Sequence, residues 1–201
     1  MKLRYSPTSP YVRKVTVTAL ETGLDARIER VSTDIREPAA DFLAENPLGK
    51  VPALITDDGL TLIDSPVICE YLDSLHAGPR LFPPEGAARW RALSLMALAD
   101  GIADAGVLRR MESLRPDTEQ SPSSMERQRQ KVIRGLDALA AQVPSFDETL
   151  TIGQIAAACC LGWLEFRFAE EEWRIGRPML ADWYSMFVTR PSLVATMPKD
   201  G

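Results

Sequence analysis

The chain has 201 residues, 45% of them hydrophobic, and a formal net charge of −5. A chain of this length can bury a core without disulfides or metals, in one domain or in two small ones. The negative charge argues against a nucleic-acid partner and an anionic membrane surface, because both require a cationic protein face. No segment reaches the roughly 18–20 apolar residues that cross a bilayer, so we expect a cytoplasmic protein without a membrane partner.

Cysteine and histidine are too sparse for a disulfide framework or a structural zinc site. The three cysteines, Cys69, Cys159 and Cys160, lie in apolar helix-like stretches, and His76 is the single histidine. An odd cysteine count without a CxxC pair favours buried thiols in a reducing compartment. We therefore predict no metal site and no prosthetic group.

The first 75 residues alternate between strand-like and helix-like segments. Residues 2–6 alternate apolar and polar side chains, which predicts a half-buried strand. Residues 10–22 carry apolar side chains at helical spacing, with Pro10 at the first position and Gly23 just past the end. Further segments are a strand at 27–31, a helix at 37–45, a hairpin of 53–56 and 60–63 around an Asp-Gly turn, and a helix at 66–75. The predicted order is β-α-β-α-β-β-α.

The second half is predicted to be entirely helical. Glycine and proline cluster in residues 77–86, which predicts a linker between two domains. A long helix is expected at 87–114 and a polar, mobile loop at 118–124. The predicted domains are therefore 1–76 and 87–201, joined by the linker 77–86.

Two helices of the first half begin with the same dipeptide. Ser9-Pro10 and Ser65-Pro66 each place a serine hydroxyl at a predicted helix N-cap. Helix N-termini bind carboxylates and stabilise thiolates, so each corner can hold an anion. Each serine is also explained by capping alone, which contributes about 1 kcal/mol of stability without any function.

Three segments resemble the glutathione S-transferase family. Residues 46–54 read NPLGKVPAL and residues 62–68 read LIDSPVI. They are similar to the family's NPxGKVPxL turn and (E/D)S-x-x-I element, and residues 5–15, YSPTSPYVRKV, resemble the serine segment of bacterial members. The resemblance covers essentially the whole chain. It implies an α/β plus all-α fold, with an N-terminal thioredoxin-like domain followed by a C-terminal all-helical domain.

The resemblance implies that Ser9 donates its hydroxyl to the sulfur of glutathione. Thr8 and Ser6 are neighbouring hydroxyls that could take its place. The implied glutathione contacts are Thr8, Lys50, Val51, Pro52, Asp64 and Ser65.

Each remaining contact has an implied role. Pro52 is cis in the family, which lets the backbone of Val51 pair with the cysteinyl part of glutathione. Asp64 and Ser65 hold the γ-glutamyl end. Lys50 reaches the glycyl carboxylate, or is instead a solvated turn lysine.

The long helix of the second half carries two like charges on one face. Asp100 and Asp104 stand four residues apart, where carboxylates repel, so a cation or a ligand ammonium should offset them. The resemblance implies that this helix lines the cleft and the dimer seam, which makes both residues possible cleft or partner contacts. Solvation, or pairing with Arg109 or Arg110, is the alternative.

Two further local patterns make predictions. Thr151 and Gln154 have the spacing of a capping box at the start of a helix. Four cations precede the first acid, which predicts a locally positive N-terminal edge or a solvated charged face. These cations are Lys2, Arg4, Arg13 and Lys14.

The function implied is a detoxifying transferase that conjugates glutathione, as co-substrate, to an apolar electrophilic small molecule. The resemblance also implies a homodimer. A thiol-transfer enzyme would need a cysteine at the first strand-to-helix corner, and none precedes Cys69. A glutathione-binding or transcription-associated protein of the same fold, without turnover, is the alternative.

Overall fold

The structure is a computed structural model that describes residues 1–146 and 149–199. The chain divides into two compact units between Pro84 and Glu85. The thioredoxin-like unit comprises Met1–Pro84 and the chain from Pro191 onward, and the helical unit is Glu85–Arg190. The strands are β1 (Lys2–Tyr5), β2 (Glu29–Ser32), β3 (Ala53–Ile55) and β4 (Thr61–Leu62). The helices are α1 (Pro10–Glu21), α2 (Ala40–Glu45), α3 (Ser65–Ser74), α4 (Gly86–Ser113), α5 (Pro122–Gln142), α6 (Ile152–Arg167), α7 (Pro178–Phe187) and α8 (Pro191–Ala195).

The four strands form one mixed sheet in the order β2-β1-β3-β4. β1 and β2 are parallel, while β1 pairs with β3, and β3 with β4, in antiparallel fashion. The parallel strands β1 and β2 need a crossover, which α1 supplies, whereas the antiparallel strands β3 and β4 need only the short Asp-Gly turn between them. The predicted β-α-β-α-β-β-α order and the all-helical second half are confirmed.

One edge of the sheet collects three strand ends. Arg4 lies opposite Ala53, so the chain leaving β1 lies beside the chain entering β3. Leu54 lies opposite Leu62, so the chain leaving β4 reaches the same edge. The segments that follow β1, precede β3 and follow β4 are therefore neighbours, although the first is more than 40 residues from the other two in sequence.

Helix α1 has the ends that its sequence predicts. Ser9 is the N-cap in extended conformation, and Pro10 occupies the first turn. Gly23, two residues after the helix, has φ of 70°, a left-handed conformation that glycine adopts without a Cβ penalty. The helix buries Val12, Val15 and Ala19.

Several predicted boundaries move by one to three residues. α2 begins at Ala40 rather than at 37, and β2 begins at Glu29 rather than at 27. The polar loop predicted at 118–124 is wrong in its second half, because α5 already begins at Pro122. Ser121 caps that helix, its Oγ accepting from the Ser124 amide at 3.3 Å.

The predicted linker is fixed to the end of α3. The buried carboxylate of Asp73 accepts from the backbone amides of Leu81 at 2.8 Å and Phe82 at 3.0 Å. His76 Nε2 lies 3.0 Å from the same carboxylate. Because Leu81 and Phe82 are themselves buried, this stretch is part of the core of the thioredoxin-like unit.

The C-terminal helix α8 belongs to the thioredoxin-like unit, whereas the sequence assigned all of 87–201 to the helical domain. Arg13 Nη2 of α1 donates to the carbonyl oxygen of Leu193 at 3.1 Å. Ser192 Oγ donates to the carboxylate of Glu21 at the end of the same helix. Local periodicity carries no information about such a contact, because the partners are more than 170 residues apart.

In the helical unit, α4 packs against α5 and α6 through close backbone approaches. A Cβ at Gly106 would lie 2.7 Å from the ring of Trp163, and one at Gly153 would lie 2.8 Å from the carbonyl oxygen of Ala92. The predicted capping box of α6 is confirmed, with the Thr151 amide donating to Gln154 Oε1 at 2.8 Å. Within residues 1–146 and 149–199, no helix combines the length and apolarity needed to span a bilayer.

Four aromatic side chains at the end of α6 and after it differ in burial. Trp163 and Trp173 are buried, whereas Phe166 and Phe168 are only half-buried. Phe168 instead supports a guanidinium, with the Arg109 Cζ 4.7 Å from its ring centroid.

Candidate functional site

The first corner of the candidate site is the turn from β1 into α1. Ser9 caps α1, and its Oγ accepts from the Val12 amide at 3.3 Å. The Ser9 amide donates to the carbonyl oxygen of Ser6 at 3.2 Å, which closes the turn between them. Ser9 and the neighbouring Thr8 are half-buried. The capping bond uses only a lone pair of Ser9, so its hydroxyl proton is still available for a ligand.

The second corner is the turn that leads into β3. The buried side chain of Asn46 donates to the carbonyl oxygen of Lys50 at 2.7 Å and accepts from the Leu48 amide at 3.1 Å. Gly49 completes the turn with φ of 61°. The Val51–Pro52 peptide bond is cis, as the resemblance implies. Lys50 is exposed, with its ammonium on the surface of this turn.

Asn46 is a residue to which the sequence analysis gave no role. Its two side-chain bonds fix the conformation of the turn immediately before Val51 and Pro52. The signal was present in the Asn-Pro pair of residues 46–47, since asparagine side chains bond to their own backbone two residues on. We identify Asn46 as a positioning residue of the candidate site.

The third corner is the start of α3, and here the predicted cap is wrong. Asp64, not Ser65, is the N-cap, and its carboxylate accepts from the Ser65 amide. Asp64 is exposed, while Ser65 is only 1% exposed and is the first residue of the helix. No acceptor or donor among the described residues pairs with Ser65 Oγ. A buried hydroxyl without a partner costs about 1–3 kcal/mol, which makes this atom exceptional.

The fold brings these three corners to one edge of the sheet. Ser9 follows β1, Val51 and Pro52 precede β3, and Asp64 follows β4, which are the three strand ends that meet there. Side chains connect the first two corners as well. Val12, Phe42, Val51 and Ala53 form one buried cluster with Tyr5 packed against it.

The predicted positive N-terminal edge is wrong, because its cations are paired or buried. Arg4 Nε donates to Glu45 Oε2 at 2.6 Å and its Nη2 to Asp41 Oδ2 at 2.7 Å, and Lys2 pairs with Glu45 as well. The hydrogen bond from Arg4 lowers the pKa of Glu45 below its ordinary value. The other two of the four cations, Arg13 and Lys14, lie in α1 and are buried.

The two aspartates of α4 occupy different environments. Asp100 is half-buried and Asp104 is exposed, both in the helical unit. Arg109, an alternative partner for them, makes a bidentate ion pair with Glu171, with Arg109 Nη1 2.8 Å from Glu171 Oε2. Contact of Asp100 or Asp104 with a ligand or a partner stays a prediction.

The site can bind an anion. Among the described residues it contains no cysteine thiol that could act as a nucleophile. Two helix N-termini, at Ser9 and Asp64, lie at one sheet edge with hydroxyls at both. Amide groups at helix N-termini stabilise carboxylates and thiolates. The first cysteine of the chain, Cys69, is fully buried in α3, with Thr18 Oγ1 3.4 Å from its sulfur. A thiolate at this edge would therefore have to come from a ligand.

Comparison with known proteins gives two family matches. Residues 8–75 match the glutathione S-transferase N-terminal domain, and residues 122–185 match the glutathione S-transferase C-terminal domain. An uncharacterized GST-like protein of Escherichia coli (strain K12), YibF, is 37% identical over 202 residues, which is 98% of each chain.

Two similar solved structures contain glutathione. A glutathione transferase family member from Pseudomonas fluorescens Pf-5, with bound glutathione, is 43% identical with a TM-score of 0.91 over 99% of each chain. A glutathione S-transferase from Methylobacillus flagellatus KT, with glutathione bound, is 38% identical with a TM-score of 0.92, covering 98% of this chain and 99% of the other. By its sequence over nearly its whole length and by its fold, this chain belongs to the glutathione S-transferase family.

Proposed function

We propose that the protein is a glutathione transferase that conjugates the glutathione thiolate to an apolar electrophilic small molecule. The observation that carries the proposal is the meeting of the Ser9, Val51–Pro52 and Asp64–Ser65 corners at one sheet edge. The glutathione bound to two similar structures supports the choice of ligand. A detoxifying role in the cytoplasm is part of the same proposal.

Ser9 is the proposed catalytic residue. Its hydroxyl would donate to the glutathione sulfur while its lone pair keeps the capping bond to Val12. A free thiol has a pKa near 8.5, and lowering it by two units requires about 2.7 kcal/mol of preferential stabilisation of the thiolate. One hydrogen bond to a charged acceptor contributes roughly 1.5–3 kcal/mol, and the α1 N-terminus adds to it. Thr8 and Ser6 are the neighbouring hydroxyls.

The remaining residues would hold the tripeptide. The backbone of Val51, next to the cis Pro52, suits the cysteinyl amide, and Lys50 suits the glycyl carboxylate. At the third corner, the γ-glutamyl carboxylate would supply the acceptor that Ser65 Oγ lacks, and the exposed carboxylate of Asp64 would face the ammonium. The Ser65 hydroxyl is already desolvated in the free protein, so a hydrogen bond to the ligand carries no further desolvation cost for this group. Ser65 is therefore expected to contribute strongly to the affinity for glutathione.

Conjugation of 1-chloro-2,4-dinitrobenzene tests the proposal. The wild-type protein is expected to turn over this electrophile, and Ser9→Ala is expected to lower kcat/KM by about 10–100-fold, with a raised pKa for the bound thiol in the pH–rate profile. Ser121→Ala, which removes the same kind of serine capping bond from the start of α5, is the matched control and should retain most of the activity. Unmeasurable glutathione affinity in the folded wild-type protein would defeat the proposal.

A second candidate is glutathione binding without turnover, as in a transcription-associated protein of this fold. The observation in its favour is the capping bond of Ser9, which gives this hydroxyl a structural role already. Retention on a glutathione column, without conjugation of several electrophiles and without an effect of Ser9→Ala, would favour this candidate.

We propose in addition that the protein forms a homodimer. Three apolar side chains at the start of α3 and before it are exposed in the single chain, namely Leu60, Ile63 and Val67. Val67 is 48% exposed, and Val194 in α8, at 57%, provides a control position. In sedimentation at micromolar concentration, Val67→Glu is expected to shift the protein to monomer and Val194→Glu to leave the dimer intact. A wild-type monomer would contradict the proposal.

A further inference from the structure

A cavity of about 430 Å³ lies within the helical unit. It is open on one side and bordered by α4, α5, the end of α6 and the chain that follows α6, and its lining residues all belong to Glu85–Arg190. Small-molecule sites in proteins have volumes of roughly 300–1,000 Å³, so this cavity is large enough for a ligand. None of its lining residues was assigned to the glutathione site.

The floor of the cavity is apolar and contains an unpaired donor. Val132, Leu136 and Leu164 line it and are themselves at least nine-tenths buried. Trp173 lines it too and is 6% exposed. In the described part of the chain, the buried indole Nε1–H of Trp173 has no acceptor. Buried indole N–H groups usually find a partner, so this one points to an acceptor on a bound molecule.

Three arginines line the same cavity, each beside a carboxylate. Arg109 is bound by Glu171, and Arg177 Nη2 lies 2.6 Å from Asp137 Oδ1. Arg129 is held more loosely, with nitrogen to oxygen distances of 3.5 Å to Glu126 and 3.8 Å to Glu171. Arg129 therefore retains the capacity to bind a carboxylate of a ligand in bidentate fashion.

We propose that this cavity binds a small monocarboxylate with an apolar body, independently of glutathione. The apolar body would lie against Val132, Leu136 and Leu164. Its carboxylate would bind Arg129 and accept from Trp173 Nε1, which removes the unpaired donor.

The charge of the cavity limits the ligand to a single negative charge. Glu170, Glu171 and Glu172 line the cavity with the three arginines, so its formal charges balance. A second anionic group would meet these carboxylates at short range, where repulsion is little screened by salt. An amine would lack an acceptor at Trp173, because indole nitrogen only donates.

Nuclear magnetic resonance of the full chain, without glutathione, tests the inference with decanoate as the probe. The chain has four tryptophans, so its spectrum contains four indole N–H signals, and Trp173→Phe identifies that of Trp173. If that variant fails to fold, the corresponding changes at Trp90, Trp163 and Trp183 identify the signal by elimination. Decanoate is expected to shift the Trp173 signal in a saturable, one-to-one manner. An unmoved Trp173 signal would overturn the inference.

The head group and the arginine give the specificity controls. Decanol and decylammonium are expected to bind at least fivefold more weakly than decanoate. Arg129→Met should weaken decanoate at least fivefold, whereas Arg115→Met, at an exposed ion pair with Glu119, should change its affinity less than twofold. Equal affinity for decanoate and decylammonium, or equal losses of decanoate affinity in the two variants, would show non-specific hydrophobic binding and overturn the proposed site.

Neutralisation of Glu171 tests the inference with an expected increase, and not a decrease, in decanoate affinity. Glu171 competes with the ligand for Arg129, so Glu171→Gln is expected to tighten decanoate at least threefold. A loss of packing alone would weaken binding instead. Unchanged or weaker decanoate affinity in a folded Glu171→Gln protein would contradict the proposed binding of the carboxylate by Arg129.

Discussion

At the scale of single residues, Ser65 is the most informative position of the candidate site. Its hydroxyl is buried at the first position of α3, and no described residue pairs with it. The folded protein therefore bears the cost of desolvating this group, about 1–3 kcal/mol, and recovers it only when something else supplies an acceptor. Stability and ligand binding should consequently respond to this hydroxyl in opposite directions.

Ser65→Ala is expected to leave the free energy of unfolding unchanged or to raise it by up to about 1 kcal/mol, because an unpaired polar group is removed. The same change is expected to weaken glutathione about tenfold, equivalent to about 1.4 kcal/mol. Urea unfolding in the absence of glutathione measures the first effect, and calorimetric titration with glutathione the second. Ser9→Ala is the contrasting variant, since losing its capping bond should cost about 1 kcal/mol of stability. A destabilised Ser65→Ala protein with unchanged glutathione affinity would refute this interpretation.

The sequence identified Ser65 as a candidate contact but did not predict its environment. Asp64 and Ser65 are both good N-cap residues, and Pro66 is compatible with either choice. The backbone decides between them, because Asp64 has the extended conformation of a cap. At the first corner, Thr8-Ser9-Pro10 offers the same choice, and there the extended residue is Ser9, which is the cap that the sequence predicts.

At the scale of elements, the contact between β1 and α2 shows where local patterns fail. The alternation in residues 2–6 predicted a half-buried strand, and a half-buried strand has its polar side chains, such as Arg4, on the open face. Arg4 is buried instead, with its guanidinium between Asp41 and Glu45 and 5.6 Å from the centroid of the Phe42 ring. Its partners lie 37 and 41 residues away in sequence. Only the packing of α2 on the sheet brings them together, which alternation within β1 does not reveal.

This ion-pair network makes the stability depend on pH. The bond from Arg4 lowers the pKa of Glu45 in the folded state below its ordinary value of 4.5. The stabilisation is therefore fully present above pH 4.5 and is lost as the pH falls through the lower, folded-state pKa. Glu45→Gln is expected to reduce the free energy of unfolding at pH 7 by about 1–3 kcal/mol, because buried Arg4 loses one of its two carboxylate partners.

Urea unfolding at pH 7 and at pH 3 measures the change. The difference between wild type and Glu45→Gln should shrink at pH 3, where Glu45 is increasingly protonated in both states. Glu29→Gln, at an exposed position of β2, is the matched control and should have little effect at either pH. An equal loss in Glu45→Gln at both pH values would assign the effect to packing and not to charge.

Elements with marked ends were predicted best. The N-cap serine, the first-turn proline and the following glycine defined α1 to within one residue, and the Thr151–Gln154 box defined the start of α6. α2 lacks such marks, since Ala39 at its N-cap position makes no side-chain capping bond. Its predicted start was accordingly three residues too early.

At the scale of the whole molecule, the two ends of the chain belong to the same compact unit. Its last helix, α8, completes the thioredoxin-like unit that its first strand begins. The change from alternating strands and helices to helices alone predicted two units, with the division inside the Gly/Pro-rich stretch. It gave no indication that the chain returns, because α8 is only five residues long and its partners on α1 are about 180 residues distant.

The returning segment is expected to contribute to the stability of the thioredoxin-like unit. Leu193 is fully buried, and its carbonyl oxygen accepts from Arg13, whose guanidinium is buried in the body of the unit. Removal of a buried leucine side chain costs about 2–5 kcal/mol, and loss of the acceptor leaves a buried charge short of a partner. Truncation after Arg190 should therefore lower the free energy of unfolding by at least about 3 kcal/mol.

Two variants separate the contribution of α8 from that of chain length. Truncation after Met197 retains Ser192, Leu193 and Thr196 and should leave the stability near that of wild type. Leu193→Ala in the full chain should reproduce most of the loss seen on truncation after Arg190, by about 2–5 kcal/mol. Thermal and urea unfolding measure all three proteins. Because α8 packs on the helix that Ser9 caps, a truncated protein that kept full stability would mean that α1 is held in place by the sheet alone.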